Sequence, residues 1–153
     1  MKPGTFTQLY VQLVFAVQNR DAVLNKNIRF RVFEYLSGIL KEMSHKSIII
    51  NGVSDHVHIF VGVNPARSIS DTVHELKRSS SLFIKNEKLC SSKFSWQEGY
   101  GAFTYSRSHI DNVYKYIQNQ EEHHKKITFR EEYIDFLEKY DVPYDERFLF
   151  EFF

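Results

Sequence analysis

The chain has 153 residues, 42% of them hydrophobic and 16% aromatic, enough for one domain with a core and short for two. No basic segment leads into an apolar stretch, and no run approaches the roughly 20 apolar residues of a membrane span, so a cytoplasmic protein with no membrane partner is expected. A single cysteine, Cys90, excludes an intrachain disulfide framework and a cysteine-cluster zinc site. The net charge of +1 hides a division: residues 1–130 sum to +7 and residues 131–153 to −6. The basic body suits a phosphate-backbone partner, with ordinary solvated surface as the alternative.

Along the chain, Leu9, Val11, Leu13, Phe15 and Val17 alternate with Gln8, Tyr10, Gln12, Val14 and Ala16, the period of a half-buried strand. From Ile28 to Met43 the apolar residues recur every three to four positions, which predicts an amphipathic helix. Lys46–Val53 and the run from His56 form two strands of a hairpin, turned by 52–55. Asn64-Pro65-Ala66 ends that unit, and Ser68 or Ser70 caps a second helix carrying Ile69, Val73, Leu76, Ser80, Phe83 and Ile84. Ala102 to Ser106 is a short fourth strand, Ile110 to His124 a third helix and about 129–140 a fourth, before an aromatic tail from about residue 141. The order strand, helix, strand, strand, helix, strand predicts an α+β, ferredoxin-like split βαβ antiparallel sheet with additional C-terminal helices. In that arrangement the first two helices cover one face, and the third helix is available to cover the other.

His56-Val57-His58 carries the chemistry. Alternation puts both imidazoles on one face of the strand, where they can chelate one ion, while Val57, Ile59, Val61 and Val63 pack on the other. In the third helix Ile110, Val113 and Ile117 set the buried direction. Gln120 lies roughly 55° from its centre and Gln118 roughly 105°, so Tyr116 and Gln120 are the inward-facing tyrosine and glutamine pair. Two imidazoles and an amide carbonyl make three ligands for a divalent metal, Mg or Mn, and leave positions for phosphate oxygens. A tyrosine oxygen attacking phosphorus beside them would store the phosphodiester bond energy as phosphotyrosine, which favours rejoining over hydrolysis.

His123 and His124 diverge by about 100° on a helix, so both cannot easily face one ion, and neither is counted as a ligand. His45, His74, Glu75 and His109 are read as surface groups. Lys77, Arg78, Lys85 and Arg107 are candidate phosphate contacts. Trp96, Tyr100, Phe103 and Tyr105 either stack on unpaired bases or fill the core; Phe103 is best placed as core, and Tyr105 is kept as a nucleic-acid candidate. Five bulky apolar residues in the last six form a tail that docks on its own chain or on a partner subunit.

Three motifs in this order and spacing resemble the single-tyrosine HUH transposases, which move IS200-like bacterial insertion sequences. They are Asp55-His56-Val57-His58, the run from Trp96 through Ser106, and Val113 through Gln120 followed by His123-His124. The resemblance covers nearly the whole chain and implies one HUH domain over 1–153. It implies that His56, His58 and Gln120 bind the metal, and that Tyr116 is the nucleophile forming a 5′-phosphotyrosine and releasing a 3′-hydroxyl. It also implies a homodimer acting on single-stranded DNA hairpins, with the tyrosine supplied in cis or in trans. Two other readings stay open: a domesticated HUH nickase on dispersed palindromes, and a non-catalytic module binding single-stranded nucleic acid.

Overall fold

The computed structural model describes residues 3–18, 23–90 and 93–152. Strand β1 (Tyr10–Ala16) leads to helix α1 (Lys26–Glu42), strands β2 (Lys46–Gly52) and β3 (His56–Gly62), helix α2 (Ile69–Asn86) and strand β4 (Gly101–Tyr105). A short 3-10 turn at Arg107–His109 opens into α3 (Ile110–Gln118), followed by α4 (Gln120–His123) and α5 (Phe129–Lys139). The four strands form one antiparallel sheet in the order β2-β3-β1-β4, the ferredoxin-like arrangement expected of the element order.

The sheet is buried on both faces, and the two faces differ in kind. Val57 lies opposite Phe15 and Ile59 opposite Leu13, and this face packs under α1 and α2 through Val32, Leu36, Leu40, Val73 and Leu76. Burying such side chains contributes roughly 1.5–3 kcal/mol each. Ser68 caps α2 as expected, its hydroxyl accepting from the Asp71 amide at 2.9 Å. Trp96 also belongs to this face. Its ring meets Phe15 edge to face at 4.8 Å, and its indole N–H donates to Ser80 Oγ at 2.9 Å, so it serves as core.

His56, His58 and Phe60 line the second face, together with Gln12 and Phe103. The cover is shared. Val113 and Ile117 of α3 pack on Phe60, while α5 lies over the histidines and Phe103 through Phe129 and Phe136. The expected single helix from Ile110 to His124 is interrupted at Asn119, whose ψ of 20° departs from the helical value and ends α3. Helix α5 begins with a capping box, in which the Thr128 hydroxyl accepts from the Glu131 amide and the Glu131 carboxylate accepts from the Thr128 amide.

The aromatic tail docks on its own chain. Phe150 is buried against Tyr133 and Phe129, at ring separations of 4.8 and 5.9 Å. Gln97 clamps the backbone of Glu151 from both sides, accepting from its N–H and donating to its carbonyl at 2.7 Å each. The tail therefore gives no argument for a dimer. Among the described residues, no helix is long and apolar enough to cross a membrane.

Gly52 ends β2 where the chain turns into the histidine strand. A Cβ there would collide with the backbone carbonyl of His56 and stand 3.0 Å from Val57 Cα, so the two strands must separate to admit one. Gly52→Ala is expected to cost about 1–3 kcal/mol in urea unfolding, as overpacking against backbone does. An unchanged midpoint would show that the turn yields more readily than this geometry implies.

Candidate active site

Both strand histidines are oriented from behind by acceptors. His56 Nδ1–H donates to Asp55 Oδ1 at 2.8 Å, and His58 Nδ1–H donates to Gln12 Oε1 at 2.7 Å. Gln12 in turn donates to the Tyr105 hydroxyl at 2.9 Å, which fixes which end of its amide faces His58. With each outer nitrogen committed as a donor, a neutral ring presents its Nε2 lone pair forward, and a protonated ring donates from Nε2 instead.

Three further groups meet those lone pairs. Gln120, fully buried at the start of α4, places Oε1 3.3 Å from His56 Nε2. His124 donates from Nδ1 to the Ile127 carbonyl at 3.1 Å, leaving its Nε2 3.0 Å from Gln120 Oε1. Glu132 reaches in from α5, its Oε1 at 3.0 Å from His58 Nε2, 3.1 Å from His124 Nε2 and 3.3 Å from His56 Nε2. The ligand atoms of His56, His58, His124 and Glu132 all lie within 4.8 Å of one another. The Phe129 ring lies flat on His56 at 3.7 Å and closes the cluster from the α5 side.

Sequence reasoning set His124 aside and did not single out Glu132. The divergence of His123 from His124 is real, but it sends only His123 away from the cluster centre. His124 follows Gln120 by four residues and shares its side of the chain. The signal for Glu132 is an acid at the i+3 position of the apolar stripe Phe129, Tyr133, Phe136 and Leu137, and it is only 2% exposed.

The second carboxylate oxygen faces the tyrosine. Tyr116 donates a short hydrogen bond to Glu132 Oε2, to which Gln120 Nε2 also donates at 3.1 Å. His123 Nε2 stands 3.2 Å from the phenol oxygen. Burial and the adjacent Glu132 charge push the Tyr116 phenol well above the usual tyrosine value. Burial also opposes charge on Glu132, but the His58 charge and hydrogen bonds from His124, His56 and His58 outweigh it and hold the carboxyl well below its ordinary range. His56 is raised despite burial by its bonds to Asp55 and Glu132, whereas burial dominates at His58 and lowers it.

Asn51 of β2 secures the helix that carries Tyr116 by donating to the Ile117 and Gln118 carbonyls at 3.0 and 3.1 Å, two of the groups a helix C-terminus leaves without partners. The proposed nucleic-acid contacts separate. Tyr105 lies at the end of β4 beside the Tyr116 cavity, and Arg107 follows it in the exposed 3-10 turn. Lys77, Arg78 and Lys85 lie on α2, across the sheet from the cluster. The Lys77 ammonium binds the Gln97 and Gly99 carbonyls at 2.8 and 2.6 Å, and Arg78 pairs with Glu75 at 2.9 Å.

A family model described as transposase, IS200 like, matches residues 5–120. The chain belongs to the IS200-like transposase family. DNA cleavage and strand transfer are the activity class that membership implies. The ISDra2 transposase TnpA of Deinococcus radiodurans is 28% identical over 123 residues, covering 76% of this chain and 87% of the relative. A crystal structure of a Deinococcus radiodurans R1 protein described as a transposase superposes with a TM-score of 0.61 at 22% identity, over 78% of this chain and 96% of that one. The fold is also that of a REP-associated tyrosine transposase bound to a REP hairpin, with a TM-score of 0.54 and 8% identity over 82% of this chain and 74% of the other. This transposase carries its HUH histidines on β3, while Glu132 lies beyond the family match.

Two outcomes follow. Asn51→Ala is expected to cost about 1–2 kcal/mol, since it strips two helix-end carbonyls of a donor, as read by thermal or urea unfolding. The native Glu132 carboxyl titrates below its unfolded value of about 4.3, so its stabilisation is present above that value and lost as pH falls through the folded one. In chelator, wild-type stability should therefore fall more steeply than that of Glu132→Gln between about pH 5 and pH 3; parallel curves would contradict the assignment.

Proposed function

We propose that this transposase cleaves and rejoins single-stranded DNA at insertion-sequence ends, with Tyr116 as nucleophile and a divalent metal held by His56, His58 and their neighbours. The observation that supports it most directly is the juxtaposition of the Tyr116 phenol with a cluster whose forward-facing atoms are all electron-pair donors. Three imidazole Nε2 atoms, the Gln120 carbonyl oxygen and Glu132 Oε1 converge there. With Nδ1 of each histidine already donating elsewhere, those lone pairs need a proton or a cation between them.

The residues fit a metal. His56, His58 and Gln120 would hold it, with His124 and Glu132 Oε1 available to complete the set. Imidazole and amide donors suit manganese or another first-row ion better than magnesium, which the carboxylate would also accept. When bound, the ion would polarise the scissile phosphate as a Lewis acid.

The chain's own residues supply the rest. Asp55, Gln12 and the Ile127 carbonyl keep the three imidazoles in the ligating tautomer. Glu132 divides its work, with Oε1 toward the imidazoles and Oε2 on the Tyr116 hydroxyl. As the phenol oxygen attacks phosphorus and the bond from phosphorus to the 3′ oxygen breaks, the phenol proton is relayed through Glu132 Oε2 or His123 Nε2 to the leaving 3′ oxygen, which departs as a 3′-hydroxyl. The phosphotyrosine conserves the bond for rejoining. Tyr116 reaches the histidines of its own chain in this structure, which supports cleavage in cis without requiring a homodimer. A hairpin is the partner we assign, because the REP-associated transposase of like fold is bound to one.

The test is a covalent protein–DNA adduct formed on single strands from the flanks of the gene, with manganese or magnesium. Wild type should give the adduct and Tyr116→Phe none. Hairpin binding that persists with no adduct in either metal would favour the non-catalytic module. A second measurement concerns the ion: calorimetric manganese binding should weaken at least tenfold in His58→Ala, as loss of a ligand or of its support does. Unchanged affinity would remove His58 from the site.

A further inference from the structure

A cavity of about 580 Å³ opens beside the Tyr116 phenol, between the end of β4, α3 and the C-terminal half of α5. Its walls include four rings: Tyr105 from β4, Tyr116 from α3, Phe136 from α5 and Tyr140 just beyond the end of α5. Tyr105 meets Tyr140 edge to face at 5.7 Å, and Tyr116 meets Phe136 the same way at 5.7 Å, so the walls brace one another. Tyr105 is further held by its bond from Gln12, the residue that orients His58. The polar lining includes Asn112 of α3 and Lys139 of α5, both exposed, and the Lys139 ammonium lies 5.5 Å from the centre of the Tyr140 ring.

The bond-breaking chemistry described above uses only Tyr116, Glu132 and His123 of this lining. The remainder joins those rings to the Asn112 amide, the Lys139 ammonium, the Asp135 carboxylate and the polar groups of Gln12, Ser106 and His109, in a cavity of a size suited to one small organic group. A nucleobase presents flat faces to rings and a donor–acceptor edge to an amide, and its phosphate suits an ammonium. A duplex is too wide to enter, whereas one unpaired nucleotide is not.

We propose that this cavity is a nucleotide pocket, which takes one unpaired DNA base next to the scissile phosphate. The protein then reads one position beside the cut through its own side chains. The base stacks on Tyr140 with the perpendicular Tyr105 ring against its edge, Asn112 bonds its donor–acceptor edge and Lys139 holds a neighbouring phosphate. The assignment rests on the strand-transfer reading of Tyr116, because that reading brings the phosphate to the floor of the cavity.

The test uses the full wild-type chain in chelator, so that binding is read without cleavage. Trideoxynucleotides of adenine, cytosine, guanine and thymine are titrated against an abasic trimer of equal charge, and amide resonances are followed by NMR. At least one base-bearing trimer should bind about tenfold or more tightly than the abasic one and shift Asn112, Lys139 and Tyr140. Asn112→Ala should narrow that gap without changing abasic binding, and Lys139→Ala should weaken all trimers alike. Equal binding of the abasic trimer, or shifts confined to another surface such as α2, would overturn the pocket. The adduct assay separates this proposal from its parent. An adduct whose yield ignores every base flanking the cut overturns the pocket alone. Base-dependent trimer binding at these residues with no adduct overturns strand transfer and supports the pocket.

Discussion

The structure turns on a single buried carboxylate. Glu132 brings negative charge into a region walled by Phe129, Phe136 and the sheet, where an unpaired charge would cost several kcal/mol. That cost is offset because the imidazoles of His56, His58, His123 and His124, the Gln120 amide and the Tyr116 hydroxyl converge on its two oxygens. The requirement explains why α5 lies over β3. The helix completes the apolar cover, and its one acidic residue on that face has nowhere else to be satisfied.

From that constraint the rest of the site follows in order. Oε1 draws the imidazoles of His56, His58 and His124 toward one point. Oε2 fixes the phenol of Tyr116 on the adjoining side. The break at Asn119 then has a purpose, because it ends α3 and starts a short turn that carries Gln120 and His124 together over the strand histidines. Asn51 secures the frayed end from the sheet below. Tyr116, Glu132 and the converging imidazoles thus depend on one another's placement within one chain.

Much of this was legible in the sequence. Alternation in β1 and β3 and the three-to-four residue spacing in α1 and α2 reflect burial on a fixed face, which the sheet imposes and the composition records. Tyr116 was legible for the same reason, since Val113 and Ile117 mark the inward direction of its helix, and Gln120 keeps that direction although the helix breaks at Asn119. Glu132 was not. Counting it among the eight acids of residues 131–153 treats it as surface charge, and charge totals carry no information on where a side chain points. His124 was set aside by an argument about regular helix geometry that held for the pair and missed that one member could enter alone. The aromatic tail was ambiguous in sequence because an apolar surface does not declare which chain will cover it. Gln97, an unremarked polar residue, settles that by gripping Glu151.

The docking of the tail gives the end of the chain an unexpected nearness to the chemistry. Phe150 rests on Phe129, and Phe129 lies flat on the imidazole of His56. Two ring contacts therefore join the last residues to a metal-ligand candidate, with no flexible element between them. A purification tag or reporter fused at the C-terminus would pull on that stack.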